Sequence, residues 1–404
     1  MKSRLGLGLR DALFWLHLAF GIGAGIVIFL MSATGVLLMY ERQITEWSDR
    51  DYRQASPPPA GARLSIEALL AKALTAQSGP PLSSLTLQAD PAAPAAVSFG
   101  RERTVYVDPY TGRILGEGSP RVRTFFRAVT AWHRWLGAQG ERRQTGSAIT
   151  GACNLAFLIL IVSGCFLWLP RQWTRRQLRN VVWFRRGLAS KARDFNWHNV
   201  IGFWTWIPLF LVVLTGVVMS YSWANDLLFR LSGEVPPARQ GSERPAAERG
   251  SRRERSHSDD APELSGLDEL WLVAERKVPG WRSITMRLPD EAEAPVSFTI
   301  LQGHRGRPDL RSQLTLDRRS GEVVKWEPFA RQGPGRRLRA WSRWVHTGEA
   351  GGFLGQTVAG LAAAGATLLV WTGWAMAWRR FFPAKSKKES RSPNNAARAA
   401  GETS

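Results

Sequence analysis

The sequence predicts a membrane protein whose fold class is an all-α four-helix bundle carrying two α+β modules outside the membrane. Four apolar segments are long enough to cross a hydrocarbon layer, which takes about 20 residues, and they lie at 12–40, 147–169, 198–223 and 352–378. The order helix, module, helix also occurs twice along the 404 residues. Repetition of a whole unit of this kind indicates an internal duplication.

The repeat is marked by a Thr-Gly or Ser-Gly pair in each apolar segment. A histidine or a glycine stands 17 residues before each of the four pairs, Thr34-Gly35, Ser163-Gly164, Thr215-Gly216 and Thr372-Gly373. In the first and third segments that residue is His17 or His198, and in the second and fourth it is Gly146 or Gly355. The four segments are therefore two copies of one helix pair.

Two further histidines end the helices that precede the second and fourth apolar segments. They lie in the sequences Trp132-His133-Arg134-Trp135 and Trp344-Val345-His346. Four of the six histidines in the chain thus fall on repeat-equivalent positions. A histidine at membrane depth costs free energy unless it is paired or liganded, so this placement predicts a functional site.

The chain is expected to begin with a short cytoplasmic segment, 1–11, followed by an uncleaved spanning helix. Lys2, Arg4 and Arg10 precede the apolar run, as in a signal peptide, but a signal peptide has an apolar core of only about 7–15 residues. The run at 12–40 is longer than that. Small residues in it would let another helix or a flat macrocycle come close, and they are Gly21, Gly23 and Gly25.

The first module, 41–121, is predicted to contain one helix and three strands before a hairpin turn. The helix is expected at 64–76 and the strands at 83–87, 95–99 and 104–107. The sequence from Asp108 to Arg113, DPYTGR, then predicts a turn that closes the hairpin onto Ile114. An aromatic-rich interfacial helix and loop, 122–146, lead into the second span.

The second module, 224–334, repeats this order. A helix is expected at 264–277, strands at 283–287, 296–301 and 313–316, and a turn from Asp317 to Glu322. An insertion at 232–262 is rich in Arg, Glu, Ser and Pro, a composition typical of disorder. A second interfacial helix and loop, 335–351, lead into the fourth span.

Lysine and arginine residues near the helix ends predict the orientation. The loop 170–197 carries eight of them between residues 171 and 193 with no acidic residue, and the tail 379–404 is also basic. Both are expected in the cytoplasm with the N-terminus. Since these basic clusters flank membrane helices, the net charge of +21 indicates contact with anionic lipid rather than with nucleic acid.

Cys153 and Cys165 lie within the second span and are interpreted as packing residues.

The repeat places His17 with His198 at the inner end of the bundle and His133 with His346 at the outer end. Two neutral imidazoles that face each other across a bundle can be the axial ligands of one haem iron. We therefore predict two non-covalent haem b groups, since the chain has no Cys-x-x-Cys-His motif. A copper or zinc site is less favoured because each end supplies two histidines without a matching carboxylate or thiolate. The alternative is four interfacial histidines that hold no ligand.

These residues resemble the PepSY-associated transmembrane family, including the ferric-siderophore reductases among iron-regulated inner-membrane proteins. The four histidines, the four Thr-Gly or Ser-Gly pairs and the two turns carry the resemblance, which covers nearly the whole chain. It implies a bacterial inner-membrane haem b protein with periplasmic PepSY-like modules. It further implies transfer of electrons from the cytoplasmic side to a periplasmic ferric siderophore, with iron released as Fe(II). The second turn has Arg318 where the family has proline.

The chain contains no recognisable nicotinamide or flavin site, so the electron donor would be a separate protein, a quinol or a soluble flavin. Arginines near the hairpins would attract an anionic chelate or simply form a solvated face, and they are Arg101, Arg103, Arg305, Arg307 and Arg311. His304 has no counterpart in the first half and is interpreted as a surface residue. Two other functions stay open, a non-enzymatic membrane anchor whose modules bind peptides or regulate a peptidase, and haem delivery or sensing.

Overall fold

The computed structural model describes residues 2–52, 54–55, 62–75, 80–100, 103–169, 174–237, 264–289 and 294–383. The predicted insertion at 232–262 lies outside the described residues from residue 238 onward, as does the predicted tail after residue 383. Helices in the described part are α1 (Lys2–Gly23), α2 (Gly25–Met39), α3 (Glu41–Ser48), α4 (Ile66–Leu74), α5 (Pro120–Trp135), α6 (Arg142–Trp168), α7 (Arg175–Val182), α8 (Ser190–Ser220), α9 (Ser222–Leu231), α10 (Leu267–Lys277), α11 (Pro334–His346) and α12 (Gly352–Phe381). The strands are β1 (Leu82–Gln88), β2 (Ala95–Phe99), β3 (Arg103–Val107), β4 (Ile114–Glu117), β5 (Ser283–Arg287), β6 (Val296–Leu301), β7 (Arg311–Leu316) and β8 (Val323–Pro328).

Three of these helices, α6, α8 and α12, are long and apolar enough to cross a membrane. Helices α1 and α2 make a fourth span if they are counted together, although they are bent by 67° relative to each other. The protein is therefore a membrane protein whose described residues contain three or four candidate spanning segments and an antiparallel sheet. The sequence predicts one helix over 12–40, and the structure differs by breaking it at Ala24.

A tryptophan from α12 explains the break between α1 and α2. The Nε1–H of Trp374 donates a hydrogen bond of 3.0 Å to the carbonyl of Gly21, which the N–H of residue 25 would occupy in an unbroken helix. A Cβ on Gly25 would overlap the same indole ring. Insertion of a side chain into the backbone ladder is a known cause of sharp kinks, so the predicted close approach at these glycines is made by Trp374.

The spanning helices pack through small residues on α12. Ala362 and Ala366 are buried against α8 and α6, and a Cβ on Gly365 would come within 2.7 Å of the Thr205 side chain. Such small faces allow close helix contact in a lipid environment. Large apolar side chains on the opposite faces are exposed, for example Ile26, Phe166, Leu361 and Trp371, as expected for surfaces that contact lipid.

All eight strands belong to one antiparallel sheet in the order β4-β3-β2-β1-β5-β6-β7-β8. The two predicted modules meet where β1, the first strand of one, pairs with β5, the first strand of the other. Thr86 hydrogen-bonds Thr285 across this pairing at 2.9 Å. One face of the sheet, covered by α4 and α10, forms a single hydrophobic core. The two predicted modules are thus joined into one sheet, and β8 is a strand that the sequence analysis missed.

Helices α4 and α10 cap each other at their N-termini. The Asp268 carboxylate accepts the N–H groups of Ile66 and Glu67 at 2.5 and 3.3 Å, and the Glu67 carboxylate accepts the Leu267 N–H at 3.0 Å. A carboxylate at a helix N-terminus accepts hydrogen bonds from free N–H groups and is attracted by the positive end of the helix dipole. This reciprocal capping fastens the two halves of the core together.

Both predicted turns have the same local hydrogen bonds. The Asp108 carboxylate accepts the N–H groups of residues 110 and 111, and the Asp317 carboxylate accepts those of residues 319 and 320, at 2.8–3.1 Å. Gly112 and Gly321 each have φ of 69°, the left-handed region that favours glycine. Arg318 in place of proline leaves this turn unchanged.

A buried carboxylate connects the end of α3 with the sheet and with the start of α5. Asp49 is fully buried and accepts hydrogen bonds from Tyr106 Oη at 3.0 Å, from the Ser119 N–H at 2.8 Å and from Arg123 Nη2 at 2.6 Å. Burial raises the pKa of the Asp49 carboxyl, but these donors lower it, and the net pKa lies below its ordinary value. Asp49 therefore fixes the position of α5, the helix that ends near His133.

Replacing Asp49 with alanine should destabilise the protein by about 3–5 kcal/mol, because it leaves the buried Arg123 charge unpaired. The change is measured as a lower midpoint of thermal unfolding in detergent. Asp51→Ala is the matched control, since Asp51 forms only an exposed pair with Arg50 and should cost less than about 1 kcal/mol. The difference between the variants should disappear as the pH falls through the lowered pKa of Asp49, because the ionised carboxylate supplies this stability; a difference that persists there would contradict this account.

Candidate functional site

The structure brings the four repeat-equivalent histidines together as two pairs. The ring centroids of His17 and His198 are 6.4 Å apart with an interplanar angle of 84°. The centroids of His133 and His346 are also 6.4 Å apart, with an angle of 60°. We call the first the loop-side pair, because it lies toward the basic loop 170–197, and the second the sheet-side pair. His304 lies in the connection between β6 and β7 and belongs to neither pair.

Each histidine of the loop-side pair rests on a Ser-Gly or Thr-Gly pair of a neighbouring helix. His17 Nδ1 is 2.9 Å from Ser163 Oγ on α6, and His198 Nδ1 is 2.9 Å from Thr372 Oγ1 on α12. The adjacent glycines leave room for the rings. A Cβ on Gly164 would lie 3.3 Å from His17 Cε1, and one on Gly373 would lie 3.5 Å from His198 Cε1.

The sheet-side pair is held in the same way. His133 Nδ1 is 3.0 Å from Thr34 Oγ1 on α2, and a Cβ on Gly35 would lie 3.6 Å from its Cε1. His346 Nδ1 donates to the carbonyl of Val212 at 2.8 Å and lies 3.5 Å from Thr215 Oγ1. A Cβ on Gly216 would lie 3.3 Å from His346 Cε1. The four Thr-Gly or Ser-Gly pairs are therefore four imidazole cradles.

The cradles determine which ring nitrogen carries the proton. The four hydroxyls each donate to a backbone carbonyl four residues earlier, at 2.6–2.8 Å. A hydroxyl has one hydrogen to donate, so its oxygen accepts the imidazole Nδ1–H. For His346, the backbone carbonyl of Val212 also accepts the Nδ1–H. Nε2 is consequently left with a free lone pair, the form that binds a metal ion.

The 17-residue spacing of the repeat sets the depth between the two pairs. Helix α8 carries His198 of the loop-side pair and Thr215 of the cradle that holds His346. At 1.5 Å per residue, 17 residues span about 25 Å along a helix. This is slightly less than the hydrocarbon thickness of about 30 Å, so the two pairs lie near opposite ends of the spanning region.

A cavity of about 1090 Å³ surrounds the loop-side pair between α1, α6, α8 and α12. Its walls are mainly apolar, and four cationic side chains line it, Arg10, Lys191, Arg379 and Arg380. Arg379 donates to the Asp194 carboxylate at 2.6 Å, and Arg10 donates to the carbonyl of Leu167 at 2.6 Å. The cavity is thus apolar around the histidines and positively charged at the end near the basic loop.

Burial favours the neutral form of the sheet-side histidines. Burial, with a smaller effect of the neighbouring His346, lowers the pKa of His133 to about 4. Burial also lowers the pKa of His346. Desolvation disfavours the charged imidazolium, so both rings keep the unprotonated Nε2 that their cradles select.

The donor set fits a metal that brings most of its own ligands. Among the described residues, no group of three or more His, Cys, Asp or Glu side chains could hold a metal ion. An imidazole nitrogen binds a metal at about 2.0–2.1 Å. If two imidazoles bind one ion from opposite sides, the distance between their ring centroids is the sum of the two bonds and the two distances from centroid to nitrogen, about 6 Å. The observed 6.4 Å matches that span. Two such imidazoles with free Nε2 atoms would hold an iron that brings its other ligands, as the iron of a haem does.

The Thr-Gly and Ser-Gly pairs are repeat markers in the sequence, but their role as cradles was not predicted. Their spacing from a histidine was the available signal, because each pair lies at the depth of a histidine on another helix.

Gly146 and Gly355 have a separate role. A Cβ on Gly146 would overlap the Trp135 carbonyl, and one on Gly355 would overlap the Gly348 carbonyl, so these glycines let the segment just after each sheet-side histidine pack against the next span.

The chain belongs to the PepSY-associated transmembrane family, since the family model described as "PepSY-associated TM region" matches residues 14–380. A comparison with curated proteins found no match.

Replacing Gly216 with alanine should destabilise the protein by about 1–3 kcal/mol, as overpacking does. The new Cβ would lie 2.9 Å from Asn154 Nδ2 and 3.3 Å from His346 Cε1. Gly202→Ala on the same helix is the matched control, because its Cβ would meet only Leu369 at an ordinary 3.8 Å. Thermal unfolding in one detergent compares them, and equal midpoints would show that the cradle has room to spare.

Proposed function

We propose that the protein is a membrane oxidoreductase that binds two haem b groups and passes electrons from the cytoplasmic side to a periplasmic ferric siderophore or other ferric chelate. His17 and His198 would hold one haem, and His133 and His346 the other. The observation that supports this best is the pair of opposed imidazoles at each depth, each with Nδ1–H bonded and Nε2 free.

Bound haem would supply one-electron chemistry at its iron. The residues of this chain supply position and environment. Ser163 and Thr372 fix the two loop-side rings, the apolar helix walls exclude water, and the cationic side chains of the cavity suit the carboxylates that a haem carries. Transfer of an electron to a ferric chelate needs proximity rather than an acid, a base or a nucleophile.

The depth of the two pairs supports a transmembrane path. A single site would serve a reaction on one face of a membrane, whereas two sites about 25 Å apart along α8 suit electrons that enter near one face and leave near the other. The basic loop 170–197 supports a cytoplasmic loop-side pair by the distribution of arginine and lysine. The donor would be a separate protein, a quinol or a soluble flavin.

A role as a bare membrane anchor accounts less well for the site. It would leave four polar imidazole nitrogens facing each other inside the protein with no ligand, although buried polar groups in a membrane protein carry a free-energy cost. Haem delivery would require a haem that exchanges readily. The predictions below separate these functions from electron transfer.

Purified protein from haem-supplied cells should contain two b-type haems per chain in a pyridine haemochrome assay. His198→Ala and His17→Ala should each remove the same spectral component, and His133→Ala and His346→Ala should each remove the other. His304→Ala is the control and should keep both haems. Haem-free wild-type protein would contradict the proposal, and loss of one shared component in His198→Ala and His133→Ala would contradict the pairing.

Protein reduced with dithionite should be reoxidised by a ferric siderophore, with Fe(II) trapped by a chelating dye. His133→Ala or His346→Ala should abolish this reoxidation even when the loop-side haem is retained, because the sheet-side pair is nearest to the acceptor. Transfer of haem to apomyoglobin is measured in parallel, and rapid transfer would favour haem delivery. A reduced spectrum that persists with several chemically different ferric chelates would contradict the iron assignment.

A further inference from the structure

Some of the arginines near the hairpins have an ion-pair partner among the described residues, and others have none. Arg103 binds Glu117, and Arg307 binds the Asp309 carboxylate at 2.6 and 2.8 Å. Arg101 lies outside the described residues. Arg305 and Arg311 form no ion pair with an acidic side chain in the described parts of the chain. The unpaired positive charge of this surface is therefore concentrated around Arg305 and Arg311.

Arg311, the first residue of β7, is the centre of this group. Its Nε–H is buried and has no hydrogen-bond partner within the described residues. Burial lowers the pKa of Arg311, and the charges of Arg343, Arg305 and Arg287 lower it further. Arg343, Arg305 and Arg287 are thus electrostatic neighbours of Arg311, and Arg305 and Arg343 also lie over the same Trp344 ring.

The cluster borders the sheet-side histidine pair. Trp344 is buried, and its ring centroid lies 5.2 Å from Arg343 Cζ and 6.0 Å from Arg305 Cζ. Arg343 precedes His346 by three residues, about one turn of α11. A group bound among these arginines would therefore lie next to the helix that carries His346.

The arrangement is unfavourable unless an anion completes it. A buried donor without an acceptor carries a desolvation cost, and like charges repel. Glu41 is an electrostatic neighbour of Arg305, and burial raises the pKa of the Glu41 carboxyl while Arg305 lowers it. No acidic side chain of the described residues is among the electrostatic neighbours of Arg311, so Arg311 lacks a counter-charge.

We propose that Arg305, Arg311 and Arg343 form a carboxylate-binding site beside the sheet-side histidine pair, to which Arg287 adds positive charge. Guanidinium groups bind carboxylates through two parallel hydrogen bonds. The carboxylates have two chemical sources, a polycarboxylate chelate that arrives from solution, or the carboxylates of a haem held by His133 and His346. Carboxylate binding stands without the proposed electron transfer, whereas use of the site for docking the electron acceptor rests on it.

Citrate is the probe, titrated by calorimetry into the full-length wild-type protein and into Arg311→Gln. Wild-type protein should bind citrate, and its unfolding midpoint should rise with citrate concentration because the ligand binds the folded state. Arg311→Gln should bind at least about tenfold more weakly. Arg307→Gln is the matched control, since Arg307 already has Asp309 as its partner, and its affinity should stay within about twofold of wild type.

The outcomes distinguish the two sources. Citrate binding to haem-loaded wild-type protein, lost in Arg311→Gln with haem content unchanged, supports a site for an external chelate. Citrate binding only after haem removal, together with faster haem loss to apomyoglobin in Arg311→Gln, supports a site for the haem carboxylates. No citrate binding in either state, or equal affinities of Arg311→Gln and Arg307→Gln, overturns the proposal. Haem content of the wild type tests the proposed function separately.

A second variant covers the case in which Arg311→Gln fails to fold. Arg311→Lys keeps the positive charge but removes the planar pair of donors. It should fold and bind citrate with an affinity between those of wild type and a protein without the site. Wild-type affinity in Arg311→Lys, with the salt dependence unchanged, would overturn the assignment of Arg311 as the central ligand.

Discussion

The contact on which the spanning region depends is the hydrogen bond between an imidazole Nδ1–H and the hydroxyl of a neighbouring helix. Each of the four bonds joins a different pair of elements, α1 with α6, α5 with α2, α8 with α12 and α11 with α8. Inside a membrane a polar ring has no water to satisfy it. The same bond that satisfies the ring also selects its tautomer and leaves Nε2 unprotonated, so packing and chemistry have one origin.

The single sheet explains how two halves of the chain meet at the sheet-side pair. Helix α5 follows β4 directly and is held by Asp49 and Arg123, while α11 follows β8 in the other half. Because β1 pairs with β5 and α4 caps α10, both halves belong to one sheet. The separation of His133 from His346 is therefore set by the sheet as well as by the spanning helices.

Local patterns predicted the parts of this structure that local interactions determine. The Asp-to-Gly turns and the strands at 95–99 and 283–287 follow from residues within a few positions, and the pairing of histidines follows from the repeat. The break at Ala24 could not be predicted, because Trp374 that causes it is about 350 residues away. Pairing of β1 with β5 is likewise a long-range contact. The cradles could not be predicted either, because the sequence does not show which helices are neighbours.

The two histidine pairs have the same kind of cradle, but their histidines lie on different elements. His17 and His198 lie on α1 and α8, which belong to the candidate spanning segments. His133 and His346 lie on α5 and α11, outside those spans, and α11 shares Arg343 with the arginine cluster around β7. A ligand on this cluster would contact the helix of His346 directly, and contiguous contacts of this kind can carry coupling between sites. Of the two pairs, the sheet-side pair is therefore the one whose helix would contact such a ligand.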